Sequence, residues 1–475
     1  DGIGDFYPKL KTVAPSPLSK NRQLERPEIV DLDAMPKLTM DLTKDHLDRF
    51  GEGAFLATAK HAGGTGVAYF TNQTATPQIT ARTTTAYTVA SGGALQAGML
   101  VVPRGWVTGA NATANGTLQV VGAASTGTSV TVASGVAETP AGAYAVTLEV
   151  AGFRGASGDI TMTSGGNLAS TVADFTTWGL TVGQMIWVGG TVGGGHDFAT
   201  AAYRGFARVS VIAANLLTLT RRQWTVGSLD AGTSKTIDVY FGRWLRNVAV
   251  DNANYLEYSY HMELGLPGIG SAGATEYVYA AGNMVNMMEV TSPGQSLIGL
   301  ALSFVGTTIG SPTTSRATGA STAGGVLAID RFQSVSKLLY LRVLNQATEA
   351  VVSSDIDNWK LTFSNNISPQ KQQGVLGASR LIVGKAQLDL DIECWLTQDE
   401  GWAATAANTS LAFGAGFRNA DGGAFFDVPS LTFNDAPVKF PGNGAASLSV
   451  KAAGFRDATG NYTLGMSLFP YLPVV

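Results

Sequence analysis

The chain carries residues 285–306 (VNMMEVTSPGQSLIGLALSFVG) twice: displaced by 148 positions, they fall on 433–454 (FNDAPVKFPGNGAASLSVKAAG). Asn286/Asn434, Val290/Val438, Pro293/Pro441, Gly294/Gly442, Leu300/Leu448 and Gly306/Gly454 coincide without a gap. The pleat phase agrees as well. Ile298, Leu300, Leu302 and Phe304 alternate with small residues, as Ala446, Leu448, Val450 and Ala452 alternate with Ser447, Ser449 and Lys451. Such alternation makes a strand with one buried face. The Pro-Gly pair before it is turn chemistry, with proline presetting φ and glycine expected at positive φ. A chain that repeats a β unit is constrained to build two similar domains.

Residues 37–43 (KLTMDLT) alternate too, and a helix is expected over about 44–59. At an offset of 350 stands QLDLDIE (387–393), with Leu388, Leu390 and Ile392 on one face and Asp389, Asp391 and Glu393 on the other. Thr397-Gln-Asp-Glu400 then reads as a capping box for a helix through Asn408. Leu38/Leu388, Asp41/Asp391, Gly51/Gly401, Ala54/Ala404 and Ala57/Ala407 coincide.

The two offsets differ by about 202 positions, so the first unit carries an insertion that the second lacks. It falls on 60–245, dense in Gly, Ala and Thr. There 95–102 with 116–132 echoes 180–188 with 205–220, which predicts two small β modules grafted into a loop, where insertions cost least. The expected organisation is an extended arm over 1–36, punctuated by five prolines; a first unit from 37–59 and 246–310; the insert, 60–245; a Ser/Thr/Gly-rich linker or long loop, 311–329; and a second unit, 330–475. The fold class expected is mainly β: two duplicated sandwich or barrel domains, each with a short flanking helix, plus inserted β modules.

Only 14% of residues are charged, against 45% hydrophobic, which excludes wholesale disorder. A net charge of −4 lacks the basic stripe that grips nucleic acid. Cys394 is the lone cysteine, so no internal disulfide forms. No apolar run is long enough to span a membrane and no secretory signal pattern opens the chain. It begins at Asp1, as a trimmed chain would. The reading is of a soluble protein.

Catalytic chemistry finds no purchase. The four histidines have no metal-ligand spacing, and no G-x-S-x-G occurs, so no cofactor, metal or nucleophile is expected. Gly268-Ile-Gly270-Ser-Ala-Gly273 matches G-x-G-x-x-G, but ATEYVYA follows it where a dinucleotide site needs a helix; a hairpin loop is expected. Asp389, Asp391 and Glu393 spread along a strand and do not converge as Ca²⁺ ligands would. Adjacent carboxylates on one strand also cannot flank a glycoside as a hydrolase pair must. They make either an ordinary solvated face or a negative wall past which a polyanion slides without sticking.

The layout resembles the tail tube (major tail) proteins of long-tailed bacteriophages, of the kind with two fused tube domains. The resemblance is carried by 19–33 (SKNRQLERPEIVDLD), by the strand and helix of 38–59, by 285–306 ending LSFVG, and above all by 365–388 (NNISPQKQQGVLGASRLIVGKAQL). It implies domains whose inner strands line a lumen, with Asp389, Asp391, Glu393 and Asp41 facing it, and an insert that points outward. It implies a virion protein made in the host cytoplasm, self-assembling into homotrimeric pseudo-sixfold rings. Its implied partners are a tape-measure protein, a tail terminator, baseplate proteins and passing double-stranded DNA. The alternative is another virion or surface β protein, such as a capsid, baseplate or adhesin component, whose inserts bind carbohydrate.

Overall fold

The computed structural model describes residues 6, 8–15, 26–60, 79–89, 95–106, 114–123, 125–133, 135–137, 147–191, 194–200, 202–317, 330–353, 355–395, 407–439 and 446–474. The protein is mainly β, with one α-helix among the described residues. A run of ten antiparallel strands orders it: Val351–Ser353, Leu338–Asn345, Leu411–Asn419, Gly422–Asp435, Ser447–Gly454, Gln387–Trp395, Ile356–Ser364, Glu276–Ser292, Gly299–Val305 and Lys37–Asp41. Tyr260–Leu266 pairs with the first half of Glu276–Ser292. Gly465–Phe469 ties Gly422–Asp435 to Arg243–Arg246.

The stretches that match at an offset of 148 share a strand register. Met284 faces Val305 and Val285 faces Phe304; after a bulge at Asn286, Met287 faces Ser303. Thr432 faces Ala453 and Phe433 faces Ala452; after a bulge at Asn434, Asp435 faces Lys451. The offset of 350 needs correcting. Leu302 pairs with Leu38, whereas Val450, its counterpart, pairs with Ile392 and not Leu388, so the strands correspond at 354. A slip of four keeps every apolar residue on its face, so alternation alone cannot choose the register. The turn also differs from expectation. Gln295, not Gly294, takes the left-handed conformation (φ 56°). Gly294 is small for another reason: a Cβ there would sit 3.0 Å from Asp357 Oδ1 and 3.2 Å from its carbonyl oxygen.

Alternation puts Leu300, Leu302, Leu361, Phe363, Leu388, Leu390, Leu448 and Val450 on one buried face. Each such side chain contributes roughly 1.5–3 kcal/mol by leaving water. Over this face lie Leu411–Asn419, Gly422–Asp435 and Gly465–Phe469, which supply Phe413, Phe417, Phe426, Met466 and Leu468. Helix Lys44–Phe55 closes one end of the core with Leu47, Ala54 and Phe55. It starts where Thr43 Oγ1 accepts the His46 N–H (3.2 Å) and stops at Leu56 in the left-handed region (φ 49°). Residues 397–406 of the second expected helix and most of the linker lie outside the described residues; 407–408 form a turn, with Asn408 in the left-handed region (φ 47°).

The insert is one body and not two modules. Its two echoes meet through Thr147–Arg154 and Asp238–Tyr240 in a single nine-stranded sheet over one core, with a three-stranded sheet (Ile79–Arg82, Ala86–Val89, Ser129–Thr131) beside it. Nor is it loosely grafted. Leu100, Val102, Met185, Trp187 and Phe206 pack on Tyr340, Phe425 and Phe469. That contact makes it a third layer, covering the middle strands on the side away from the first core. The arm differs as well: Pro8–Val13 and Glu28–Ala34 form an antiparallel hairpin.

Candidate functional site

The outer face of the long sheet gathers the four carboxylates singled out above. Cross-strand pairing lines up Asp41, Gly299, Thr291, Lys360, Asp391, Lys451 and Asp435 in one row. The next row holds Thr39, Ala301, Glu289, Thr362, Asp389, Ala453 and Thr432. Glu393 sits one pleat further on, opposite Asn358 and Ser449. Asp41 is therefore on the same surface as Asp389, Asp391 and Glu393, four strands and about 19 Å away at ordinary strand spacing.

Of the two readings of the acidic strand, a solvated face or a negative wall, the pairing removes an unbroken wall. Asp391 stands between Lys360 and Lys451. Lys360 Nζ lies 2.8 Å from Glu289 Oε2, and Arg331 Nε lies 2.7 Å from Asp41 Oδ2. Asn358 Nδ2 donates to Glu393 Oε2 (2.9 Å), and Gln387 Nε2 to Asp389 Oδ2 (2.9 Å). Counting Asp41, Glu289, Asp389, Asp391, Glu393 and Asp435 against Lys37, Lys360, Lys451 and Lys439, which pairs with Ser447 in the same pleat phase, leaves an excess of two negative charges on the strands themselves. Between them lie Thr, Ser, Ala and Gly. The sequence does not place Glu289, Lys360 and Lys451 beside Asp391 and Asp389, because each belongs to another strand and only pairing brings them there.

Among the described residues no three His, Cys, Asp or Glu side chains converge as metal ligands. The G-x-G-x-x-G stretch is a hairpin loop: Leu266 faces Glu276 across it, with one short 3₁₀ turn at Ser271–Gly273. Among the described residues no helix is long and apolar enough to cross a membrane.

A second polar cluster, unforeseen in the sequence, lies where the insert meets the second half. Asp427, 1% exposed, takes Arg221 Nη1 at 2.7 Å and the Tyr462 hydroxyl at 2.7 Å. Arg208 Nη2 donates to the Tyr462 oxygen (2.8 Å) and lies 3.6 Å from Asp457 Oδ2. Burial, reinforced by the Asp427 charge, holds the Tyr462 phenol far above its ordinary value. Near the helix, Lys44 Nζ reaches Asp48 (2.6 Å) and the insert's Glu149 (3.5 Å), and Arg243 Nη1 reaches Asp48 (2.9 Å). Burial opposes the Asp48 charge, but Lys44 and Arg243 outweigh it and depress the carboxyl. These pairs fasten the insert to both halves.

No known family model matches the chain, and no curated protein matches it.

Proposed function

We propose that this protein is a structural subunit without catalytic activity, one that assembles into stacked rings forming the tail tube of a long-tailed bacteriophage. The observation that carries this reading is the doubled strand order. Tyr260–Leu266, Glu276–Ser292, Gly299–Val305 and Lys37–Asp41 run in one order, and Leu411–Asn419, Gly422–Asp435, Ser447–Gly454 and Gln387–Trp395 repeat it, down to the bulges at Asn286 and Asn434. Bulges are positional features, so their coincidence supports a duplicated domain. Two similar domains per chain suit a ring of three chains with six similar wedges. In that ring the charged face lines the lumen, where an excess of carboxylates over lysines keeps DNA phosphates from adhering. The insert, covering the opposite side, faces outward.

The carbohydrate-binding alternative gains less. The insert's large aromatics, Trp178, Trp187, Phe175 and Phe206, are buried, and its exposed large apolar residues among those described are aliphatic, such as Val172 and Leu229. Among the described residues of the insert no aromatic platform for a sugar stands out.

Negative-stain microscopy of the concentrated protein tests the proposal. Hollow tubes of uniform bore are expected. A species that stays monomeric at every concentration would count against it.

A further inference from the structure

Inside the chain, the two halves of the long sheet are stitched by one strand. Ile356–Ser364 lies between Glu276–Ser292 of the first half and Gln387–Trp395 of the second. Just past it, the chain docks on the bulge: the Asn365 N–H donates to the Asn286 carbonyl (2.7 Å) and the Ile367 N–H to Asn286 Oδ1 (2.7 Å). The Asn365 amide adds a bond to the Val285 carbonyl (2.9 Å). The hairpin Ser368–Gln370 with Arg380–Ile382 then leads into Gln387–Trp395.

The same parts exist a second time, with the seam left open. Pro8–Val13 pairs with Glu28–Ala34, which runs directly into Lys37–Asp41, the counterpart of Gln387–Trp395. This hairpin forms a two-stranded sheet of its own, so the other edge of Pro8–Val13 is unpaired among the described residues. At the opposite end, Gly422–Asp435 leaves its neighbour Leu411–Asn419 after Leu431, which exposes the stretch around bulged Asn434. Pro437 turns its carbonyl inward to the Ser449 N–H (3.1 Å), so by alternation Ala436 and Val438 present theirs to the open edge.

We infer that copies of this chain join through this open seam, the Leu10–Val13 edge of one copy pairing with residues 434–438 of the next, as 365–367 pair with Asn286 within the chain. The inference rests on the duplicated-domain reading. The surfaces suit each other. Leu10 and Val13, 47% and 51% exposed, flank an unpaired strand edge on its two faces. Lys9 and Lys11 are exposed on this strand, and Asp435 is exposed beside Asn434. Open edges of this kind invite a further strand.

The test is a Thr12→Cys, Asn434→Cys double variant. Both positions are exposed, so the monomer's fold should be unchanged by circular dichroism, and the native Cys394 is buried. Under mild oxidation the double variant should give covalent dimers and trimers on a denaturing gel, whereas neither single variant should. Oligomers or tubes that form without this cross-link overturn the seam and leave the tube reading standing. Cross-linked closed trimers that never stack into tubes support the seam and overturn the tube. A chain that neither associates nor cross-links overturns both.

Discussion

Asp427 is a buried carboxylate with two guanidinium neighbours. Asp427 is held by Arg221 and Tyr462, with Arg208 beside it. Asp427→Ala would strand the buried Arg221 guanidinium and leave Arg208 with Asp457 as its only carboxylate, a loss of about 3–5 kcal/mol read by chemical denaturation. Glycine works by absence at the paired positions Gly306 and Gly454. A Cβ at Gly306 would lie 2.3 Å from Asn283 Oδ1, and one at Gly454 would lie 2.5 Å from Leu388 Cδ2. Alanine at either site should destabilise by about 1–3 kcal/mol through overpacking. Asp48 sets an acid limit. Its carboxyl lies below its unfolded value of about 3.9, so its contribution is full above that pH and fades as pH falls through the lowered folded value. Thermal melts below about pH 4 should therefore fall more steeply for the wild type than for Asp48→Asn. Equal slopes would deny Asp48 this role.

At the scale of elements, the strands were legible and their partners were not. QLDLDIE announces Gln387–Trp395, and its apolar residues Leu388, Leu390 and Ile392 are buried as the alternation requires. Period-two alternation is blind to even slips, which is why the correspondence with Lys37–Asp41 was misplaced by four positions. The same blindness hid the lysines flanking Asp391, since Lys360 and Lys451 come from strands that sequence alone does not pair with it. If the face lines a lumen, its charge balance should matter to DNA and not to folding. Asp389→Lys, Asp391→Lys and Glu393→Lys together should leave the melting temperature within a few degrees and tube formation intact, while slowing DNA release from particles. Unaltered release would remove the lumen assignment.

The whole molecule differs most from expectation at the insert. Residues 60–245 read as two modules on a loop, because local patterns reveal strands but not the surface they rest on. Arg208, Arg221 and Tyr462 carry no local signature; only the fold brings them together over Asp427. Residues 285–306 and 433–454, matched in the sequence at an offset of 148, also share a strand register, which supports the proposed duplication. In the proposed tube the two halves act as two wedges of one ring. Counting chains per ring, by native mass spectrometry of disassembled tubes with end-on electron-microscopy averages, tests it most directly. Three copies around a lumen of near-sixfold outline are expected. Six copies per ring, or a chain that remains single, would contradict it.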